Sequence, residues 1–335
     1  MTRYLVTGGA GFIGANFVRY VLRTYPDCQV VNLDKLTYCG NLDNLKDVAG
    51  DPRYRFVQGD IADPAVVAGI FDAGIDVVVN FAAETHVDRS IGNPADFITT
   101  NVYGAYVLLE AAKAKPVKKF IQISTDEVYG SIAPGCSSVE TDELLPRNPY
   151  SASKVGADRL AYSYFASYAM PVCITRASNN YGPYQYPEKL IPLFVTNLLD
   201  DQPVPIYGDG KNIRDWLHVD DHCRGIDCVI QHGINGEVYN IGGGNERENL
   251  TVVNLIMAQL KKPDSLKKYV KDRVGHDRRY SLSSAKIARI GWQPQVAFEH
   301  GMQSTIDWYV QNRWWWEKLK DGSYKEYYQK QYGQR

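Results

Sequence analysis

The sequence predicts an α/β chain: a doubly wound parallel sheet that carries a smaller C-terminal lobe. Three observations predict it. Short apolar strands alternate with amphipathic helices through the first half of the chain. A glycine-rich turn joins the first strand to the first helix. Beyond about Asn179 the alternation loosens, with dense tyrosines and prolines at Pro183, Pro187, Pro192, Pro203 and Pro205.

Taken in order, the first strand is Tyr4–Thr7, and it runs into Gly8-Gly9-Ala10-Gly11-Phe12-Ile13-Gly14. The first helix, Phe12–Leu22, lines up Phe12, Ile13, Phe17, Val18, Val21 and Leu22 as an apolar stripe. Strands follow at Gln29–Asp34, Tyr54–Val57 and Val77–Phe81. Helices over Asn101–Lys113 and Tyr150–Tyr168 then flank a strand at Phe120–Ser124, and Val172–Arg176 completes the run. Strands of this kind, apolar throughout, belong to a parallel sheet covered on both faces. The expected division is residues 1–178 for the first domain, with segments near 214–244 returning to it, and 179–335 mainly for the second lobe. Tyr324–Tyr332 reads as a polar, mobile tail.

Composition excludes several classes. A formal net charge of −1 gives no general attraction to nucleic acid or anionic membrane. No apolar run approaches the ~20 residues that span a bilayer. The first strand begins at Tyr4, which leaves no room for a signal peptide, and six scattered cysteines contain no Cys-x-x-Cys pair. A cytoplasmic protein with reduced thiols is the expectation.

Gly8, Gly11 and Gly14 permit a tight turn and close approach of backbone to a pyrophosphate at the helix N-terminus. Strand before, helix after, and Asp34 twenty residues past Gly14 identify a Rossmann-type dinucleotide site. Asp34 fits an adenosine ribose and repels a 2′-phosphate, so NAD is expected over NADP, although Lys35 tempers that argument. Asp60 reads as an adenine contact or a helix cap. Ala82 and Ala83 allow close approach of a cofactor, while Glu84, His86, Asp88 and Arg89 either line the site or pair with one another.

Tyr150 and Lys154 share a helical face, where an ammonium can lower the phenol's pKa and make Tyr150 a base for a sugar hydroxyl. Thr125 stands ready to bond the sugar's 4-oxygen. Asp126 and Glu127 could be surface carboxylates, but at the carboxyl edge of a parallel sheet they supply an acid and a base for elimination. His218 and His222 have the spacing of a metal pair without a third ligand, so no metal is expected, and a structural or interface role is favoured. Arg214, Arg273, His276, Arg278 and Arg279 are candidates for a diphosphate clamp. Trp314-Trp315-Trp316 reads as the anchor of a terminal helix.

These motifs resemble the extended short-chain dehydrogenase/reductase family and, within it, the nucleotide-sugar 4,6-dehydratases that act on dTDP-glucose. The resemblance runs through Leu36-Thr-Tyr-Cys-Gly-Asn-Leu42, Glu84-Thr-His-Val-Asp-Arg-Ser90, Ser124-Thr-Asp-Glu-Val-Tyr-Gly130 and Ser178 to Pro192. It continues in Tyr207-Gly-Asp-Gly210, Arg214-Asp-Trp-Leu-His-Val219 and Gly275-His-Asp-Arg-Arg-Tyr280. It implies a lyase with bound NAD that oxidises C4, eliminates water across C5 and C6 and returns hydride to C6, in deoxysugar synthesis such as that of dTDP-rhamnose. It implies cofactor contacts from Lys35, Thr37, Ile61, Glu84 and Thr99. Substrate contacts would come from His86, Asn179, Glu188, Lys189, Leu190, Pro205, Tyr207, Arg214, Asn249, Arg273 and His276. It also implies a homodimer through a four-helix contact of the Asn101–Lys113 and Tyr150–Tyr168 helices. The rival readings are a nucleotide-sugar 4-epimerase, a 4,6-dehydratase for another nucleotide sugar, and a non-catalytic NAD-binding regulator.

Overall fold

The structure, a computed structural model, describes residues 1–272, 275–320 and 322–332. The first half runs β1 (Thr2–Thr7), α1 (Phe12–Thr24), β2 (Cys28–Asp34), β3 (Tyr54–Gln58), α2 (Pro64–Phe71) and β4 (Val77–Asn80). Two short helices follow, α3 (Val87–Gly92) and α4 (Pro94–Phe97), and a π-helical turn at Ile98–Gly104 leads into α5 (Ala105–Ala114). β5 (Lys119–Thr125), α6 (Pro149–Tyr168) and β6 (Val172–Ala177) complete it. The second half runs β7 (Asn179–Tyr181), α7 (Leu190–Leu199), β8 (Val204–Tyr207), β9 (Ile213–His218), α8 (Val219–His232) and β10 (Val238–Ile241). It ends with β11 (Glu246–Glu248), α9 (Asn249–Gln259), β12 (Lys267–Val270), α10 (Ala285–Ala288), α11 (Phe298–Gln311), α12 (Arg313–Trp316) and α13 (Gly322–Tyr332).

Seven strands form one sheet in the order β10-β6-β5-β4-β1-β2-β3, every pair parallel. Alternation along each strand feeds two cores: Tyr4 and Val6 point to the face covered by α1 and α8, Leu5 to the face covered by α2, α5 and α6. The strand order reverses between β1 and β4, which opens a crevice at the carboxyl edge where ligands bind in such sheets. The smaller lobe has its own core of Tyr181, Phe194, Trp216, Phe298, Tyr309, Trp315 and Trp316. Its strands form a three-stranded sheet, β11-β9-β7, and a pair, β12-β8.

The chain passes repeatedly between the lobes. Strand β9, expected among the segments that return to the large sheet, pairs instead with β7 and β11. The return starts at Val219, where α8 packs on α1 and β10 adds the seventh strand. Ile287 and Trp292 enter the same core from farther on. The expected mobile tail is a packed helix: Tyr324 is buried, and its hydroxyl donates to the Pro187 carbonyl at 3.1 Å. Trp315 and Trp316 are buried and hydrogen-bonded to Asn44 and the Tyr309 carbonyl, while Trp314 is half exposed.

One buried network fixes the catalytic edge. Arg176 on β6 grips both oxygens of Asp158 on α6, at 2.8 and 3.1 Å, and also donates to the Tyr129 hydroxyl at 2.7 Å. Tyr129 in turn donates to Asn240 on β10 at 2.8 Å. Both ions are essentially inaccessible, and Asp158 has a second cation in Arg159, which donates to its Oδ1 from Nε at 2.9 Å, so loss of Arg176 leaves the carboxylate half-satisfied. Arg176→Met should therefore lower unfolding stability by about 2–4 kcal/mol, below the full range for stranding a buried partner charge because Arg159 still holds one oxygen of Asp158. Urea denaturation followed by circular dichroism measures it, and a loss below about 1 kcal/mol contradicts this role.

Candidate active site

The turn between β1 and α1 is built from glycines because nothing larger fits. Gly8 has φ +67°, and a Cβ there would lie 2.7 Å from the Ala82 nitrogen; at Gly14 it would lie 2.3 Å from the Gly8 carbonyl oxygen. The turn stays open to the crevice, lined here by Gly8, Gly11, Phe12, Ile13 and Gly14. Opposite stands Asp34 at the end of β2, whose carboxylate accepts from Ala10 N at 2.9 Å and Leu36 N at 2.8 Å. Burial raises its pKa against those two bonds. Lys35 lines the crevice and forms an ion pair with Asp60 at 2.7 Å, which occupies its ammonium within the site. Asp60 and Ile61 line the crevice with Thr37, and the cap of α2 is Asp63.

Ala82, Ala83 and Glu84 line the floor, held by Asn101 in the π-helical turn. The Asn101 amide accepts from Glu84 N at 2.8 Å and donates to the Glu84 carbonyl at 3.0 Å and to Ser153 Oγ at 2.8 Å. Such turns recur at functional sites. They also shift the register: Thr99 points outward and Thr100 lines the crevice in its place. His86 is buried at the N-terminus of α3, outside the crevice lining.

The chemistry-bearing groups meet at the end of β5. Thr125, in register with Ala177 of β6, donates to Asp126 Oδ1 at 3.2 Å and accepts from Glu127 N at 3.3 Å. Asp126 Oδ2 and Glu127 Oε2 are buried with no hydrogen-bond partner. Burial, and then the Glu127 charge, push the Asp126 carboxyl well above its ordinary range, against the pull of Arg214. Asp126 is thus set to hold a proton beside an acceptor carboxylate.

Tyr150 and Lys154 lie in the first turns of α6, whose start is fixed by a reciprocal cap between Asn148 and Ser151. Both line the crevice. Their relation differs from the expected one. Lys154 Nζ donates to the Ile123 carbonyl at 2.6 Å, and burial brings its pKa down to about 8. The Tyr150 phenol is raised, by burial first and the Glu127 charge second, with a Thr125 hydrogen bond opposing. The neighbouring carboxylates and the buried position outweigh the lysine.

The remaining predicted residues divide. Asn179, Glu188 and Lys189 line the crevice. Arg214 is buried against the Asp277 carbonyl at 3.0 Å and stacks on Tyr280 at 4.2 Å, close enough to Asp126 to act on its charge. Asn249 sits at the start of α9 with its Oδ1 buried and unpartnered. Tyr207 and His276 meet edge to face, while Pro205 is buried in β8 and Leu190 joins the lobe core. Arg279 is held by Glu246 and Arg278 by Asp209, so neither reaches the crevice. Arg273 lies outside the described residues.

The crevice is also lined by Ser124, Ser178, Asn180, Gln185 and Tyr186, to which the sequence assigned no role, and by His222, for which a structural or interface role was expected. His222 bonds Asn180 at 2.9 Å and is buried enough to bring its pKa down to about 3. His218 caps α8, and the described residues hold no cluster of three or more His, Cys, Asp or Glu fit for a metal. A signal for His222 was present in its spacing from the cap, but only the fold shows which way it turns.

The chain is similar to known proteins along nearly its whole length. The model of the GDP-mannose 4,6 dehydratase family matches residues 5–305. A dTDP-glucose 4,6-dehydratase of Streptomyces niveus is 52% identical, covering 95% of this chain and 96% of its own. The crystal structure of dTDP-glucose 4,6-dehydratase from Streptomyces venezuelae, with NAD bound, superposes with a TM-score of 0.93 at 52% identity, over 95% of this chain and all of that one. The Bacillus anthracis enzyme in complex with NAD gives 0.90 at 48% identity, over 96% and 100% of the two chains.

The raised Asp126 pKa has a consequence for stability. Between the unfolded value of 3.8 and the higher folded value, the native state keeps a proton that the unfolded chain has lost. Stability therefore falls as pH rises through that window, and the cost is fully present above it. Asp126→Asn, neutral at every pH, should raise the urea midpoint at neutral pH, with the gain vanishing below pH 3.8. A variant less stable than the native protein at neutral pH contradicts the assignment.

Proposed function

The chain belongs to the nucleotide-sugar 4,6-dehydratase family, and from that membership we propose how its site converts dTDP-glucose to dTDP-4-keto-6-deoxy-glucose. One observation carries the reading: a buried Asp126, its carboxyl pushed well above the ordinary range, stands beside Glu127, Thr125 and Tyr150 in a single crevice that also contains the glycine turn and Asp34. The close-packed glycines and the paired Asp34 fit NAD. Residues 1–178, with the returning α8 and β10, hold the cofactor, and residues 179–335 mainly hold the nucleotide sugar.

NAD held by the glycine turn, Asp34 and Lys154 would supply the redox chemistry, as acceptor of hydride from C4 and its donor to C6, and would bring a positive charge to offset the carboxylates that raise the Tyr150 phenol. Thr125 and Tyr150 bind the C4 oxygen, and Tyr150 takes its proton. The ketone at C4 acidifies the C5 hydrogen, which Glu127 removes as a proton. The C6–O bond then breaks, and Asp126 gives its proton to the departing hydroxyl, so water leaves. Hydride addition at C6, return of the Glu127 proton to C5, and passage of the proton gained by Tyr150 to Asp126 by way of solvent close the balance. Lys154 holds the strand end through the Ile123 carbonyl and keeps a proton available below pH about 8. Arg214 holds the diphosphate, with Asn249 beside it.

A 4-epimerase needs Tyr150 and NAD but neither carboxylate, and a regulator needs none of the acid and base groups. The test is sugar-nucleotide turnover. dTDP-glucose deuterated at C4 should yield product with deuterium at C6 of the same molecule. Tyr150→Phe should lose ~10²-fold or more in rate. Asp126→Asn should accumulate 4-keto-glucose, trapped by borohydride in a rapid quench, before any 6-deoxy product. Deuterium lost to solvent, or normal dehydration by Asp126→Asn, contradicts the mechanism. A panel of dTDP-, UDP-, GDP- and CDP-glucose assays the base.

The reading includes a homodimer through the helices that bear the site. Ile98, Tyr103, Tyr106 and Tyr162 are large, exposed apolar groups on the π-helical turn, α5 and α6. Paired, two copies would bury them in a four-helix contact. The six cysteines form no disulfide, which supports a reducing, cytoplasmic setting, and no described helix is long and apolar enough to cross a membrane. Tyr106→Asp combined with Tyr162→Asp should shift sedimentation from dimer to monomer. An unchanged sedimentation coefficient contradicts this interface.

A further inference from the structure

We infer that Tyr38 and Arg89 are positioning residues that latch the cofactor-binding loop to the substrate lobe through Glu188, so that occupation of one subsite slows escape from the other. The inference rests on the reading of the crevice as a joint NAD and nucleotide-sugar site. It concerns neither the acid and base groups nor the glycine turn.

The loop that carries Tyr38 is keyed to Asp34. Leu36 donates to Asp34 Oδ1 at 2.8 Å and adopts a left-handed φ of 58°; Gly40 packs so close that a Cβ would lie 2.9 Å from the same oxygen. A carboxylate that fits the adenosine ribose thus also sets the position of this loop. From it, the Tyr38 hydroxyl donates to Glu188 Oε1 at 2.7 Å. Glu188 belongs to the segment between β7 and α7, in the other wall of the crevice.

The second oxygen of Glu188 is bound by a third element. Arg89, from α3, donates to Oε2 at 3.2 Å, and its guanidinium lies 3.9 Å from the centre of the Tyr38 ring. Next in sequence, Lys189 donates to the Thr85 carbonyl at 3.0 Å. The Glu188 side chain is only 3% exposed, so its carboxylate has little water to turn to if either partner is removed. Movement of the 185–189 wall to release ligand must break these bonds together, and the loop at the ribose end moves with them. Such coupling suits a reaction in which the cofactor must stay while an oxidised sugar waits.

The experiment measures release of labelled NAD into excess unlabelled NAD, with and without thymidine diphosphate. Native enzyme should release NAD slowly, and thymidine diphosphate should slow it further. Tyr38→Phe keeps the ring and removes the hydroxyl. It should speed release about tenfold, the scale of a hydrogen bond to a charged group, and it should lose the slowing by thymidine diphosphate. Arg89→Lys, which cannot present a planar fork to both partners, should act in the same direction and serves if Tyr38→Phe folds poorly. The Tyr38→Phe, Glu188→Gln double variant should release NAD no faster than the faster single variant. Release and slowing that match the native enzyme in both Tyr38→Phe and Arg89→Lys overturn the latch, as do independent, multiplicative effects in the double variant. Native enzyme that binds no NAD at all overturns the joint site, and the latch with it.

Discussion

The site depends on the buried pair of Arg176 and Asp158. Arg176 stands on β6, one residue before the end of the strand, and Asp158 stands four residues beyond Lys154 on α6. Their bonds set how far α6 sits along the sheet, and with it the depth of Tyr150. The same guanidinium holds Tyr129, the last residue of the turn that begins with Asp126. One cation therefore fixes the redox side chains and the elimination side chains relative to each other. A pair this deeply buried is a weak source of net stability, because desolvation offsets most of its attraction. Its value here is geometric: any other arrangement leaves the Arg176 guanidinium buried without its carboxylate, even though Asp158 keeps Arg159.

Around that frame the electrostatics follow from burial. The Asp126 carboxyl is pushed up by burial and a neighbouring carboxylate, and Tyr150 is raised by the same two causes. Lys154 moves the other way for the same physical reason, since burial penalises whichever form carries charge. Asp126 is thus displaced in the direction an acid needs, while Tyr150 is displaced away from the phenolate a base needs, so positive charge brought by a bound cofactor would have to offset the carboxylates beside it.

Much of this was legible in the chain. The short apolar strands, the glycine turn, Asp34 and the run Ser124 to Gly130 each obey a local rule, and local rules can be read one residue at a time. The rest depends on contacts distant in sequence. Thr100 replaces Thr99 in the crevice because a π-helical turn shifts the helix face, and no periodicity announces that turn. His222 enters the crevice, and Lys154 chooses a strand carbonyl over Tyr150, only because β9, α8 and β5 are brought together from separate stretches. Arg278 and Arg279 look alike in the sequence, yet each is consumed by its own carboxylate elsewhere. The tail was misjudged for a related reason. Its tyrosines look polar in isolation, but Tyr324, Tyr328 and Tyr332 stack along one side of a helix that the lobe core receives.

The repeated passage of the chain between the two lobes limits how such an enzyme can change over evolution. The segment that completes the large sheet, β10, is reached only after the small lobe's central strand β9 has been laid down, and Trp292 returns later still. Neither lobe is a contiguous module, so recombination cannot exchange one substrate lobe for another in a single event. New sugar or nucleotide preferences must arise by substitution within the existing loops, with the cofactor half present throughout. A lineage built this way would diversify by drift around a constant NAD site, and would rarely appear fused to, or split from, its own binding half.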